Sequence, residues 1–223
     1  MLPLYGMNGF IQHRVLENTF LLTANRTVFW EDEKALIISD LHLGKSGHFR
    51  KSGIAIPQNM FREDMQRFLS EIQFFQPAKV IIVGDLFHSN INKEMDLFLK
   101  WRNDISSISI HLVKGNHDIL KREWYQKAGM EVHEDSLKLK KFVFTHDITG
   151  CDESELYCFS GHIHPCVHIS GLGKQSLSLA CFYFGKKYAV LPAFGKFTGT
   201  HPIKPHRGDH IFALVENKIM QIQ

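Results

Sequence analysis

Five short blocks carry the residues best suited to chemistry in this chain. They read "DLHLG" (40–44), "GDLFHS" (84–89), "GNHD" (115–118), "THD" (145–147) and "GHIHP" (161–165). Carboxylate, amide and imidazole groups recur in them without a thiolate, a donor set that suits Mn²⁺, Fe or Zn²⁺ better than a soft metal. Burying Asn116, His117 and Asp118 side by side would cost kilocalories unless something binds them. A lone histidine is usually a hydrogen-bonded structural residue. Five such blocks in order, each at the same kind of place in the chain, are not explained that way.

That place is the end of an apolar run. "ALIIS" (35–39) leads into Asp40 and His42, and "KVIIV" (79–83) into Asp85. The run over 108–113 leads into "GNHD", "KFVFT" into His146, and "LYCFS" into His162 and His164. Apolar spacing at 61, 65, 68, 69 and 72, after Pro57, predicts a helix over 58–75. Further helices are expected over 93–103 and 119–128. From about residue 131 the chain reads as strands, so two sheets with helices outside are expected. Ligand sites of open α/β sheets lie beyond the carboxyl ends of strands, and five strands would deliver these groups to one rim. Asp40 and His42 are two apart, as are His162 and His164, so an extended backbone would point each pair the same way. Gly84, Gly115 and Gly161 precede candidate ligands, where they permit close approach or unusual dihedrals.

The ordered set resembles the calcineurin-like metallophosphoesterases from residue 40 to 164. The resemblance implies an α/β fold, a four-layer α/β/β/α sandwich, with two divalent metal ions at the strand ends. Carried onto matching positions, one ion would take Asp40, His42, Asp85 and His164. The other would take Asp85, Asn116, His146 and His162, with Asp85 bridging. His117 would face the substrate as the general acid that protonates the leaving oxygen, with Asp118 orienting its ring. Two ions about 3.5–4 Å apart can lower the pKa of a bridging water and clamp both oxygens of an in-line displacement at phosphorus. No covalent serine or cysteine is then required.

"DLHLGKSGHFRKSGIAIP" (40–57), "GDLFHS", "SGHIHP" and "LPAFGKFTG" (191–199) together resemble one branch, the DNA-ligase-associated metallophosphoesterases, over roughly residues 20–215. This implies a Mn²⁺-dependent phosphodiesterase and DNA endonuclease of bacterial DNA repair. Its substrate would be DNA, single-stranded on this reading, and it would be linked to a DNA ligase, a helicase and an exonuclease. On that reading Lys45 and Arg50 contact flanking phosphates, where much nucleic-acid affinity resides, and His88 touches the scissile phosphate. A solvated basic loop and an ordinary exposed histidine are the plain alternatives. Two departures from the branch pattern are Ile148, where a proline or similar turn residue is usual, and "FTGT", where a second glycine is usual. The stretch 191–210 reads as a surface loop or as one wall of a polyanion groove. For Phe182, Tyr183 and Phe184, strand-core packing is expected over base stacking.

Composition excludes several classes. With 223 residues and 44% hydrophobic content, a single domain over 1–223 is expected, and a disordered chain is not. A net charge of +3 is too small to argue for nucleic acid by itself. No signal peptide or membrane-length apolar run is read, so a soluble cytoplasmic protein is expected. Cys151, Cys158, Cys166 and Cys181 form no CxxC pair and are expected to be free thiols. Rival readings of the same framework are a small-nucleotide phosphodiesterase, a UDP-diacylglucosamine-type pyrophosphatase and a catalytically dead protein-binding scaffold. The complete set of ligand positions argues against the scaffold, and the lack of an acyl-binding insertion argues against the pyrophosphatase.

Overall fold

The computed structural model describes residues 9–45, 60–88, 93–151, 156–171, 176–196 and 198–223. Its first sheet opens with β1 (Phe10–Val15), β2 (Asn18–Thr23) and β3 (Val28–Trp30), paired antiparallel. Next comes β4 (Ala35–Ile38), antiparallel to β3, and then β5 (Lys79–Val83), β6 (Ser109–Val113) and β7 (Met130–His133), all parallel. Between the parallel strands run α1 (Met60–Phe75), α2 (Lys93–Asp104) and α3 (Arg122–Lys127). The strands expected over 35–39, 79–83 and 108–113 are present. So are the three helices, the last trimmed to six residues.

The second sheet contains β8 (Ser136–Leu139), β9 (Phe142–Thr145), β10 (Tyr157–Ser160), β11 (Pro165–Ser170), β12 (Ser176–Phe184) and β13 (Tyr188–Val190). It is completed by β14 (His201–Pro202), β15 (His210–Val215) and β16 (Lys218–Gln221). In it β9, β10 and β13 are parallel neighbours.

The pleat of the parallel strands of the first sheet splits their apolar residues between two cores. Leu36, Ile38, Val80, Ile82, Ile110 and Leu112 face the helices, against Met65, Phe68, Met95, Phe98 and Trp124. Ile37, Ile81 and Val83 face the second sheet, against Phe142, Phe144, Phe159 and Phe182. Each fully buried side chain of this size contributes about 1.5–3 kcal/mol, and rings interlock across the layer, Trp30 on Phe142 at 4.9 Å. Phe182 and Phe184 lie in this core, and Tyr183 is buried on the opposite face with its hydroxyl donating to Asp209 at 2.8 Å. All three are packing residues. Among the described residues the α-helices cover only the first sheet. The outer face of the second sheet is covered by loops and by a 3₁₀ turn over Ile148–Gly150.

The cysteines differ from expectation. Cys151 and Cys158 are joined in a disulfide, because the 3₁₀ turn brings Cys151 back beside β10 with the Cα atoms 5.8 Å apart. Cys166 and Cys181 are buried and free. Among the described residues no helix is long and apolar enough to cross a membrane.

Candidate active site

Beyond the strand ends, the loops after β4 and β5 are laced together. Asp40 N–H donates to Gly84 O at 3.1 Å, His42 N–H to Asp85 O at 2.9 Å and Leu43 N–H to Leu86 O at 2.9 Å. Gly161 N–H donates to His146 O at 3.0 Å, tying the ends of β9 and β10. Asp40, His42, Asp85, His162 and His164 have φ of 53°, 49°, 51°, 68° and 48°. The expected extended pairs are therefore left-handed turns. Asp and His are among the few non-glycine residues enriched in this region, and each still costs about 1–3 kcal/mol, a strain typical of functional sites. These turns replace the simple i, i+2 alternation as the reason each pair converges.

Two clusters result. In the first, Asp40 Oδ1 lies 3.2 Å from His164 Nε2, and His42 Nε2 lies 3.4 Å from the same nitrogen. In the second, His146 Nε2 lies 3.1 Å from both Asn116 Oδ1 and His162 Nδ1. Asp85 joins them: its Oδ2 is 3.7 Å from His42 Nε2 and 3.4 Å from His146 Nε2. Its other oxygen accepts His117 N–H at 2.9 Å.

The glycines explain how close the parts come. At Gly84, φ is +78° and an added Cβ would strike the His146 ring, while at Gly115 it would strike Asp85. Space, rather than turn geometry alone, therefore fixes glycine at both positions.

The electrostatics fit a cation. Burial holds the His42 pKa down to about 3, against the pull of Asp40 and Asp85, so its ring is neutral and able to ligate. Burial opposes charging of His146 and Asp85 too. Their mutual contact and the Asp40 charge nevertheless raise His146 to about 9, and His146 with the His117 amide lowers Asp85 to about 2. A proton is thus held among these atoms, as happens where a divalent cation can take its place. His164 Nδ1 faces Gly199 O at 2.9 Å and His146 Nδ1 faces Val83 O at 3.3 Å. A carbonyl behind each ring takes the Nδ1 proton and points Nε2 into the cluster, where an ion that displaces the shared proton could be ligated. The donors, their convergence and their backing fit two divalent ions.

The remaining predicted residues gather less uniformly. The His117 and His88 rings pack at a tilt of 34° with centroids 4.4 Å apart, each 5.4 Å from the His42 ring, at the edge of the first cluster. Lys45 is half-buried, and burial lowers its pKa against the attraction of Asp85 and Asp40. Arg50 lies outside the described residues. Asp118 is 1% exposed, and it accepts the amides of Phe87 at 3.1 Å and Gly115 at 2.9 Å. Those bonds tie the loops after β5 and β6 together. Among the described residues no hydrogen bond joins this carboxylate to the His117 ring, so its observed contacts are with the backbone of the loops that flank His117. A cleft of about 350 Å³ opens beside the second cluster, lined by Lys114, Asn116, His146, Asp147 and His162 among others.

Sequence reasoning missed the brace behind Asp40. Phe194 N–H donates to Ser39 O at 2.8 Å and Gly195 N–H to Asp40 O at 3.1 Å. Arg26 donates to Ala193 O at 3.0 Å, and Arg67, ion-paired with Asp64 at 2.9 Å, donates to Phe194 O and lies over its ring. "LPAF" and the following glycine thus buttress the first ligand turn. Their signal was the block "LPAFGKFTG" itself, which carries no ligand and reads from sequence as a surface loop or groove wall, whereas Leu191, Ala193 and Phe194 are buried. At the other departure, Ile148 starts the 3₁₀ turn, capped by Asp147 Oδ1 accepting Thr149 N–H at 2.9 Å, so no proline is needed to turn the chain.

Known proteins give three comparisons. A search of curated proteins finds no match. Among solved structures, the chain is similar to the Pseudomonas putida nuclease MPE, with 22% identity, a TM-score of 0.78, and coverage of 92% of this chain and 96% of that one. A protein of unknown function from Aquifex aeolicus aligns at 15% identity and a TM-score of 0.39, over 58% of this chain and 78% of its own. The profile of the calcineurin-like phosphoesterases matches residues 33–209, a span that takes in both clusters. This chain belongs to the calcineurin-like phosphoesterase family and is a metallophosphoesterase, a hydrolase.

Proposed function

We propose that the chain is a single-domain, two-metal phosphodiesterase and DNA endonuclease, loaded with Mn²⁺ and acting on single-stranded DNA in bacterial repair. In that setting it would work alongside a DNA ligase, a helicase and an exonuclease. The observation that carries the two-metal reading is Asp85 Oδ2, which lies between the ring nitrogens of His42 and His146. The similar fold of a protein described as a nuclease supports a nucleic-acid substrate.

Asp40, His42, Asp85 and His164 would hold one ion, and Asp85, Asn116, His146 and His162 the other. When bound, the ions supply Lewis-acid charge to the phosphoryl oxygens and acidify water. The protein's own part is positioning and proton transfer. His117, tethered to Asp85 through its amide, gives a proton to the departing oxygen, a contribution of about 10²–10⁴-fold. His88 beside it holds the scissile phosphate, and Lys45 and Arg50 hold flanking phosphates. Asp118 keeps the loop bearing His117 in register with the loop bearing Asp85.

The test is incubation of circular single-stranded DNA with the purified protein and Mn²⁺, with Asp85→Ala as control. A circle has no ends, so linear products require internal cutting. Cleavage lost in the variant is the expected result. Intact circles alongside hydrolysis of a small phosphodiester would overturn the DNA assignment while leaving the phosphodiesterase.

A further inference from the structure

A further convergence of ligand-type atoms, sharing no residue with these clusters, lies on the edge pair β6–β7. The parallel register sets His111 beside Glu131 and Val113 beside His133. Ile110, Leu112 and Met130 turn into the helix-side core, with Val132 packed against it. His111, Glu131 and His133 therefore share the opposite face. His111 Nδ1 is 3.3 Å from His133 Nε2 and 3.4 Å from Glu131 Oε2, and His133 Nε2 is 3.6 Å from Glu131 Oε1.

We infer that His111, Glu131 and His133 form a zinc site distinct from the catalytic centre. Zn²⁺ binds imidazole nitrogen and carboxylate oxygen at about 2.0–2.2 Å, usually with tetrahedral geometry, so two of its ligands stand about 3.3–3.5 Å apart. The two imidazole nitrogens stand 3.3 Å apart, on that edge length, and each faces one oxygen of the Glu131 carboxylate, Oε2 at 3.4 Å from His111 and Oε1 at 3.6 Å from His133. Cis ligands on an octahedral ion at the same bond length would stand closer, at about 2.8–3.1 Å. Two imidazoles and one carboxylate, with the fourth position open to water, are also a recurrent three-ligand zinc set. The histidine side chains are 19% and 17% exposed and the Glu131 side chain 66%, so the rings are held by the sheet while solvent supplies the ion. None of the three residues belongs to the blocks that build the catalytic rim. Zinc here would clip the edge strand β7 to β6, whose carboxyl end, beside His133, leads to Asn116 and His117.

The experiment uses the full chain, stripped with chelator and then given Zn²⁺ or Co²⁺ alone. Metal per chain is measured in the parent, Glu131→Gln and His133→Gln, all checked for folding by circular dichroism. Glu131 is mostly solvent-exposed, so its variant tests the site without disturbing a core. The expected result is loss of one Zn²⁺ per chain in both variants, with hydrolysis of a small phosphodiester unchanged. In an Asp85→Ala background, Co²⁺ should still give the intense visible bands of a tetrahedral ion, and His133→Gln should remove them. Unchanged zinc stoichiometry in both variants, or tetrahedral bands that survive His133→Gln, would reduce the cluster to a hydrogen-bonded histidine pair and overturn the inference.

Discussion

Replacing Gly115 with alanine sets a methyl group against Asp85, the residue shared by both clusters. The added carbon would lie 2.5 Å from the Asp85 amide nitrogen and 2.9 Å from its Cγ, where ordinary contact begins near 3.4 Å. The carbon also strikes Asp85 Oδ1, so relief requires the Asp85 backbone or the loop after β6 to withdraw by about 0.9 Å and the carboxylate by more. Neither moves freely, because Asp85 is 2% exposed and the loop is anchored through the Asp118 carboxylate and the His117 amide. A displacement near 1 Å in a reacting constellation costs about 10²-fold in rate, equivalent to about 2.7 kcal/mol of barrier. Overpacking adds about 1–3 kcal/mol of lost stability. Steady-state kinetics on a small phosphodiester, with metal content and a melting curve on the same sample, would measure all three quantities. Gly199→Ala is the control, because its added carbon meets nothing within 4 Å. A Gly115→Ala protein with parental kcat and metal content would refute the claim that this loop sets the position of Asp85.

Three further outcomes are expected. His117→Ala should keep its metal but lose about 10²–10⁴-fold in kcat on DNA and far less on a substrate with a good leaving group; equal losses on both would remove its acid role. Arg67→Ala should cost about 1.5–3 kcal/mol by urea titration, because it takes from the buried Asp64 its hydrogen-bonded cation, leaving it the Lys196 amide and the charges of Lys196 and Arg26, and frees the brace on Phe194. Arg67→Lys should restore little of this, since a point charge cannot serve the carboxylate, the carbonyl and the ring together. His13, packed on Phe184 and Phe212 with His210 nearby, has its pKa lowered to about 4, by burial first and then by His210. The unfolded chain takes up a proton that the folded chain refuses, so stability falls as pH drops from about 6.5 to 4 and is unaffected above that window. The loss is on the order of 2 kcal/mol once partial exposure is allowed for, and His13→Gln should flatten it in urea midpoints measured across that range.

Much of this site could be read from the chain because its information is local. Asp40, Asp85, His146 and His162 each stand within two residues of the end of a strand with a recognisable apolar run, so order and position pointed to one rim. Less local features escaped. The left-handed turns at Asp40 and His162 depend on backbone bonds between loops, which residue spacing does not encode. The Arg26 and Arg67 brace links residues more than a hundred positions from their acceptors. Cys151 finds Cys158 only because a 3₁₀ turn folds back on β10. His111 meets Glu131 and His133 only through the β6–β7 register, a parallel pairing that residue spacing does not encode. The bonds of Asp118 to amides of two loops were likewise out of reach of the sequence, where only its neighbour His117 was in view.

The central claim is an Asp85-bridged pair of ions, and electron paramagnetic resonance of the Mn²⁺-loaded protein tests it most directly. Using Glu131→Gln protein removes any ion held at the outer cluster. An exchange-coupled two-manganese spectrum that vanishes in Asp85→Ala is the predicted result. Isolated Mn²⁺ signals in the parent, or coupling that survives the loss of Asp85, would contradict the bridged centre.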